Sequence, residues 1–290
     1  SFKIEEGKIV GFLGSNGAGK STTMNLLAGY MSPISGRVTV CDTDIRENPI
    51  KAKRNIAYLP EIPPLYKEMR VIEYLHFVAD LKKIESSNEE ILRVISLFEI
   101  EDRKNELISN LSKGYAQRVG FAATLLGNPK VLILDEPLVG LDPSESKKTR
   151  QIIKNLQNDH CILISSHILS EIDELCNEIL ILKDGQLVMD KSKTSAKRKN
   201  KKNQYKLNVK GDKQKIEKDL GNYAAITDVS YVEESEPGVY EYVIQMSNSR
   251  DIRDNLLGYL VSKKYNVYGI SRIEATLEEV FIEANNKEDE

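Results

Sequence analysis

The sequence predicts an α/β fold, a mostly parallel sheet covered by helices on both faces, followed by a small α+β domain. Short apolar runs of strand length alternate with helical patterns through residues 1–190, which is the pattern of parallel strands joined by helical crossovers. A basic stretch with no large apolar residue then occupies 191–204, and such a stretch cannot bury a core. Beyond it, over 205–290, the predicted order becomes β-α-β-β-α-β, a split βαβ or ferredoxin-like pattern.

Element by element, Lys8 to Leu13 (KIVGFL) reads as a buried strand. A glycine-rich loop follows, and Lys20 to Tyr30 has helical spacing. Arg37 to Val40 and Asn55 to Leu59 are short strands, the second ended by Pro60, Pro63 and Pro64. Val71 to Leu81 and Asn88 to Phe98 carry apolar residues at three–four spacing, the mark of helices. Ser112 to Leu126 is a helix with Ser112 as its N-cap. Val131 to Leu134 (VLIL) is a buried strand, Ser144 to Asn158 a helix, Cys161 to Ser165 a strand and Ile168 to Cys176 a helix. Ile179 to Leu182 and Gln186 to Met189 form a hairpin around Asp184-Gly185. In the second domain the strands are Tyr205–Val209, Ile226–Val232, Val239–Met246 and Tyr265–Ile273. The helices are Lys213–Leu220 and Arg250–Lys263, and Thr276–Ala284 closes the chain as an amphipathic helix.

Composition excludes several classes. The 290 residues are 40% apolar and 29% charged, enough for a core without staples. The net charge is −3, without the basic excess of a nucleic-acid binder. Three scattered cysteines, Cys41, Cys161 and Cys176, make neither a disulfide framework nor a zinc site. No apolar run approaches the ~20 residues of a membrane span, and no signal peptide is visible. The basic run at 191–204 reads as a solvated linker or as a weak contact with an anionic membrane surface. Ser1 to Ile4 looks like the middle of a strand, so the sequence is expected to have been trimmed upstream.

The chemistry lies in four places. Gly14, Ser15, Asn16, Gly17, Ala18, Gly19, Lys20, Ser21 and Thr22 read GSNGAGKST, the P-loop pattern between a strand and a helix. Its glycines let backbone N–H groups surround a phosphate, and the helix N-terminus adds positive potential. Lys20 reaches the β- and γ-phosphates, and the Ser21 hydroxyl can ligate Mg²⁺. Val131 to Pro137 reads VLILDEP. At a strand's C-terminal end Asp135 would face the P-loop and hold Mg²⁺, and Glu136 would act as general base on a water. Ser165-Ser166-His167 ends another apolar strand, where a histidine can sense a γ-phosphate. Leu111 to Gln117 (LSKGYAQ) opens a helix, and its serine and glycine suit a second phosphate. Taken alone, the last two motifs also suit an ordinary structural histidine and an ordinary N-cap.

Together and in order, GSNGAGKST, YLPEIPPLY, LSKGYAQRV, VLILDEP, GLDP and SSH resemble the ATP-binding subunits of ABC transporters, over Ser1 to about Asp190. GSNGAGKST resembles the Walker A motif, LSKGY the signature, VLILDEP the Walker B, Gly140-Leu141-Asp142 the D-loop and His167 the switch histidine. The narrower likeness is to bacterial exporter-type subunits of drug-efflux and gliding-motility systems, and the closing TLEEVFIE is similar to theirs. The resemblance implies a P-loop ABC cassette that uses ATP and Mg²⁺. Ser112 and Gly114 of one cassette would cap the ATP held by the P-loop of another, with Leu141 and Asp142 at the dimer contact. It implies a homodimer or paired ABC subunit, and a separate integral membrane permease met by Glu61 to Met69. It places the protein at the cytoplasmic face of a bacterial membrane, with no nucleic acid as partner. Departures from the family pattern are specific. Its Q-loop glutamine falls on Glu61, whose carboxylate can ligate Mg²⁺ harder than an amide. Its LSGGQ is here LSKGY, so Lys113 and Tyr115 differ. Its adenine-stacking aromatic would precede residue 1, and Phe2 does not take that role. A soluble ABC protein acting on ribosomes or nucleic acid is the alternative. That class carries two cassettes or a long coiled coil, and this sequence has neither. A plain P-loop kinase or GTPase would lack LSKGY and SSH, and a dead cassette would lack residues among Lys20, Asp135, Glu136 and His167.

Overall fold

The computed structural model describes residues 1–15, 17–192, 203–247 and 253–273. The chain divides into two compact units, one reaching Lys193 and the other covering Thr194–Glu283.

In the first unit the strands are β1 (Ile9–Gly14), β2 (Thr39–Val40), β3 (Thr43–Asp44), β4 (Ile56–Leu59), β5 (Val131–Asp135), β6 (Cys161–Ser165), β7 (Glu178–Lys183) and β8 (Gln186–Ser192). The helices are α1 (Lys20–Leu27), α2 (Pro49–Arg54), α3 (Val71–Lys82), α4 (Ser87–Leu97), α5 (Lys113–Leu125), α6 (Pro143–Leu156) and α7 (Leu169–Leu175). Six strands form one sheet in the order β4-β5-β6-β1-β7-β8. All neighbours are parallel except β7 and β8. The apolar runs follow from this, because a parallel strand is buried on both faces. Along β1, Val10 and Phe12 join a cluster with Met24 of α1. Gly11 faces the other way, and a Cβ there would meet Ile172 of α7 at 2.5 Å.

Helices α3, α4 and α5 pack on one another, with Phe98 and Phe121 stacked at 5.0 Å between centroids. The β7–β8 turn is Asp184-Gly185, both at positive φ (48° and 78°), the two-residue hairpin geometry that Asp-Gly favours.

Several boundaries differ from the sequence reading. Of Arg37–Val40 only Thr39–Val40 is strand, paired with Thr43–Asp44 across a turn in which Cys41 and Asp42 both have positive φ. Helix α2 is an addition. Asn48 caps it by accepting the Lys51 N–H, and Pro49 opens it, a start signal present in the sequence. Strands reach into both ends of 191–204, β8 to Ser192 and β9 from Gln204. Residues 193–202, the closing helix expected at Thr276–Ala284 with its TLEEVFIE, and Asn16 lie outside the described residues.

The second unit holds β9 (Gln204–Lys210), α8 (Lys213–Gly221), β10 (Ile226–Glu236), β11 (Val239–Met246), α9 (Arg253–Ser262) and β12 (Asn266–Arg272). Its sheet runs β10-β11-β9-β12, with every neighbouring pair antiparallel. Strand β11 thus lies between β9 and β10, as in a split βαβ unit. Tyr205, Leu207 and Val209 alternate inward along β9 and pack with Ile216 and Leu220 of α8 and Leu256 and Leu260 of α9.

Candidate active site

Three parallel strands bring the site to one edge of the sheet. The register sets Asp135 beside Ser165 and Ser165 beside Phe12. The C-terminal ends of β5, β6 and β1 therefore open on the same side, where open α/β sheets bind ligands.

At the end of β1 the chain enters the P-loop. Gly14 passes so close to β7 that a Cβ would lie 2.6 Å from the Leu182 carbonyl oxygen. Gly19, at φ +103°, is the N-cap of α1, a conformation that glycine adopts without penalty. Among the described residues no side chain caps this helix, and no acidic residue lies in its first turn, so its N-terminal N–H groups suit an anion. The Lys20 ammonium folds back across the loop, donating to the Gly14 carbonyl at 2.6 Å and the Ser15 carbonyl at 3.2 Å. Ala18 is buried, whereas Ser15, Gly17, Ser21 and Thr22 are exposed around the loop mouth. The loop is backed by the β7–β8 turn, whose Gly185 N–H donates to the Ala18 carbonyl at 3.0 Å.

The carboxylates at the end of β5 are organised by one buried hydroxyl. Ser165 Oγ donates to Asp135 Oδ1 at 2.5 Å and accepts the Glu136 N–H at 2.9 Å. Glu136 has φ +48°, a left-handed conformation that costs a non-glycine residue of order 1 kcal/mol. The turn aims its side chain at His167, with Oε2 2.9 Å from Nδ1. A carboxylate only accepts, so His167 carries its proton on Nδ1 in this contact. Glu136 is mostly buried (side chain 13% exposed) and His167 is not (59%). The Tyr58 hydroxyl approaches Asp135 Oδ2 at 3.4 Å. Burial first, then the Asp135 charge, push the Tyr58 pKa up to about 12, so it stays a donor.

The remaining expected residues stand apart from this group. Glu61 is exposed, beyond the end of β4. Ser112 caps α5, its Oγ accepting the Tyr115 N–H at 3.3 Å. A Cβ on Gly114 would touch Glu145 Cγ at 3.4 Å. Asp142 caps α6, with Oδ1 accepting the Ser144 and Glu145 N–H groups and the Ser144 hydroxyl. Those donors, that of Glu145 first, hold its carboxyl below the usual range. Leu141 closes the preceding turn, its N–H on the Leu138 carbonyl at 3.3 Å. Among the described residues, no hydrogen bond or ion pair joins Glu61, Ser112 or Gly114 to the P-loop.

Sequence reasoning passed over Ser165 and Tyr58. The Ser165-Ser166-His167 motif singles out its histidine, and the sequence marks Ser165 only as the last residue of an apolar strand.

Comparison with known proteins fits this geometry. A solved structure of the ATP-binding subunit of an ABC transporter superposes with a TM-score of 0.63 at 29% identity, over 68% of this chain and 83% of that one. The fold is that of a P-loop ABC ATPase. The profile of the ABC transporter family matches residues 1–139. Two ABC transporter ATP-binding proteins of Bacillus subtilis (strain 168), both uncharacterized, are similar to it. YhcH is 40% identical over 190 residues, 65% of this chain and 62% of its own length. YxlF is 34% identical over 215 residues, 72% of this chain and 70% of its own length. The chain belongs to the ATP-binding proteins of the ABC transporter family. It spans less than two thirds of the length of YhcH.

Proposed function

We propose that this chain is the ATP-hydrolysing subunit of a transporter. On this reading it dimerises on ATP and drives a separate membrane permease in the direction of export. The observation that carries the hydrolytic reading is the Ser165 hydroxyl, which holds Asp135 and Glu136 together while Glu136 also holds His167. On this reading Asp135 would serve as the metal carboxylate, Glu136 as the base and His167 as the phosphate sensor.

The P-loop residues and the N-terminus of α1 would bind the phosphate chain, with Lys20 leaving its loop carbonyls for the β- and γ-phosphates. Ser21, Asp135 and Glu61 would hold Mg²⁺. No group of three or more His, Cys, Asp or Glu among the described residues could hold a metal unaided. That fits a magnesium held by few protein ligands plus phosphates and water, and the exposed Ser21 hydroxyl and the Asp135 carboxylate are ligands of the right kind. When bound, Mg²⁺ neutralises charge on the β- and γ-phosphates. Glu136 would take the proton of the attacking water. His167, held at Nδ1 by Glu136, would donate from Nε2 to a γ-phosphate oxygen as the imidazolium, because the ring with its single proton on Nδ1 has only a lone pair at Nε2.

Ser112 and Gly114 are proposed to cap ATP bound to a second cassette, with Leu141 and Asp142 at the contact between the two. Nucleotide shared by two subunits favours the closed dimer because it binds that state better. Among the described residues no helix is long and apolar enough to cross a membrane, so a separate permease partner is part of the proposal. The location proposed is the cytoplasmic face of the cell membrane.

The test is Glu136→Gln, which removes the base but keeps the shape. Light scattering should show a dimer with Mg-ATP and a monomer with Mg-ADP. A monomer that still binds Mg-ATP would refute the shared-nucleotide dimer, and failure of both this variant and the wild-type chain to bind ATP with the fold intact would refute the ATP reading.

A further inference from the structure

The two positions where the signature departs from its family pattern, Lys113 and Tyr115, both touch structure outside their own helix. The Tyr115 ring lies on the Arg118 guanidinium, 4.1 Å from ring centroid to Cζ, with Arg103 5.6 Å away. Its hydroxyl donates to Asp102 Oδ2 at 3.0 Å. Arg118 is buried, its side chain only 5% exposed. Its Nη1 donates to the Phe98 and Glu99 carbonyls at 3.3 and 3.0 Å, and its Nε lies 3.2 Å from Glu145 Oε2 as an ion pair without hydrogen-bond geometry, so charge and close packing join the two groups. The Glu145 N–H in turn donates to Asp142 Oδ1 at 3.0 Å.

We propose that Tyr115 is a positioning residue that couples the Ser112 turn to the Asp142 turn within one protomer, through Arg118 and Glu145. The route is continuous. The Tyr115 N–H is bonded to Ser112 Oγ, the ring confines the Arg118 guanidinium, Arg118 holds the Glu145 carboxylate, and the Glu145 amide helps hold Asp142. Two further contacts tie the same loops. Gly114 abuts the Glu145 side chain, and Lys113 lies over Gly140, where a Cβ would collide with its ammonium. A guanidinium removed from water and stacked on an aromatic face is held more firmly than an exposed one. The route therefore behaves as a strut. It rests on the shared-nucleotide reading for its consequence. If both turns face a second subunit, capture of nucleotide at Ser112 is transmitted to Asp142 without slack.

The experiment compares Tyr115→Phe, Tyr115→Leu, Glu145→Gln and the Tyr115→Leu/Glu145→Gln double variant in the full chain, each checked for folding by circular dichroism. Tyr115→Leu should lower kcat for ATP by roughly three- to thirtyfold, the range of one cation–π contact, with KM unchanged because the P-loop is untouched. Tyr115→Phe keeps the ring and should retain near-normal kcat. The double variant should be no worse than the poorer single variant, since both break one route. Hydrogen exchange supplies a readout that needs no nucleotide. In Tyr115→Leu, and not in Tyr115→Phe, the Ser144 and Glu145 amides should exchange faster. The proposal is overturned if these amides are unchanged in Tyr115→Leu, if Phe is as damaging as Leu, or if the two single effects multiply. A wild-type chain that neither hydrolyses ATP nor dimerises would sink the shared-nucleotide reading, and the exchange arm would still decide the strut.

Discussion

Replacing Ser165 by alanine deletes one oxygen and changes little else, so its effect can be worked out. Ser165 is fully buried and its hydroxyl makes two contacts, one to the Asp135 carboxylate at 2.5 Å and one from the Glu136 N–H at 2.9 Å. A hydrogen bond to a charged group is worth about 1.5–3 kcal/mol and a neutral one about 1 kcal/mol. Asp135 and Glu136 are neither fully buried nor fully exposed, so water takes over a minor part of what is lost. The expected loss is about 2–3 kcal/mol. Urea unfolding followed by circular dichroism measures it, and because the two units can unfold separately, only the transition that moves is compared. The expected functional loss is larger. Without Ser165 nothing holds the Glu136 amide, its left-handed backbone conformation has less support, and the carboxylate swings from its position against His167. On the proposed mechanism kcat should fall at least about tenfold, since a displaced general base forfeits much of a contribution of about 10²–10⁴. KM for ATP should hold. A stability change below about 0.5 kcal/mol together with a kcat within twofold of wild type would refute the bridging role.

Other expectations follow from groups outside the site. His160 is buried with Nδ1 2.7 Å from the Pro129 carbonyl, and burial above all holds its pKa below the ordinary 6.5. Below that pH the unfolded chain takes up a proton before the folded one does. Stability should therefore be full above about pH 6.5 and decline as the pH falls from there toward the lowered folded value, and His160→Asn, which keeps a donor, should flatten that slope in urea titrations at several pH values. In the second unit the Tyr242 hydroxyl is buried with no hydrogen-bond partner among the described residues. Tyr242→Phe should leave stability unchanged or raise it by up to about 1 kcal/mol, and a loss beyond that size would show a partner for the hydroxyl. Gly120 of α5 lies against Pro63 so closely that a Cβ would overlap that ring. Gly120→Ala should cost about 1–3 kcal/mol by displacing the loop that carries Glu61, measured by thermal unfolding.

What the sequence made legible, and what it hid, divides along a physical line. Strands β1, β5 and β6 could be read because both of their faces are buried, which leaves an unbroken apolar run in a local stretch of chain. The P-loop, Asp135 and Glu136 could be read because each follows such a run directly. Ser165 and Tyr58 could not be assigned roles, because their partner is a neighbour only through the strand order β4-β5-β6-β1. That order inserts β6 between β5 and β1, and no local pattern states it. Helix α2 did announce itself, through Asn48 and Pro49, yet it is only six residues long and too short to show a helical period. Lys113 and Tyr115 registered as mismatches to a motif. What they touch, Gly140 for the first and Asp102 and Arg118 for the second, depends on how α5 meets α6 and the turn before α5.

Ser112 and Asp142 show how a site residue can carry two roles at once. Each is an N-cap, Ser112 for α5 and Asp142 for α6, and each belongs to a loop proposed to face a second subunit. The cap is what points the loop, because the side chain that accepts the first-turn N–H groups fixes where its own backbone enters the helix. An alanine at either position removes the cap before it removes any contact with nucleotide. Loss of activity in such a variant therefore says nothing by itself about ATP. Asparagine separates the two, since it caps as well as serine or aspartate and lacks the hydroxyl of the one and the charge of the other. Activity that survives asparagine but not alanine would belong to the fold of the loop. Activity lost in both would belong to the group presented across the interface.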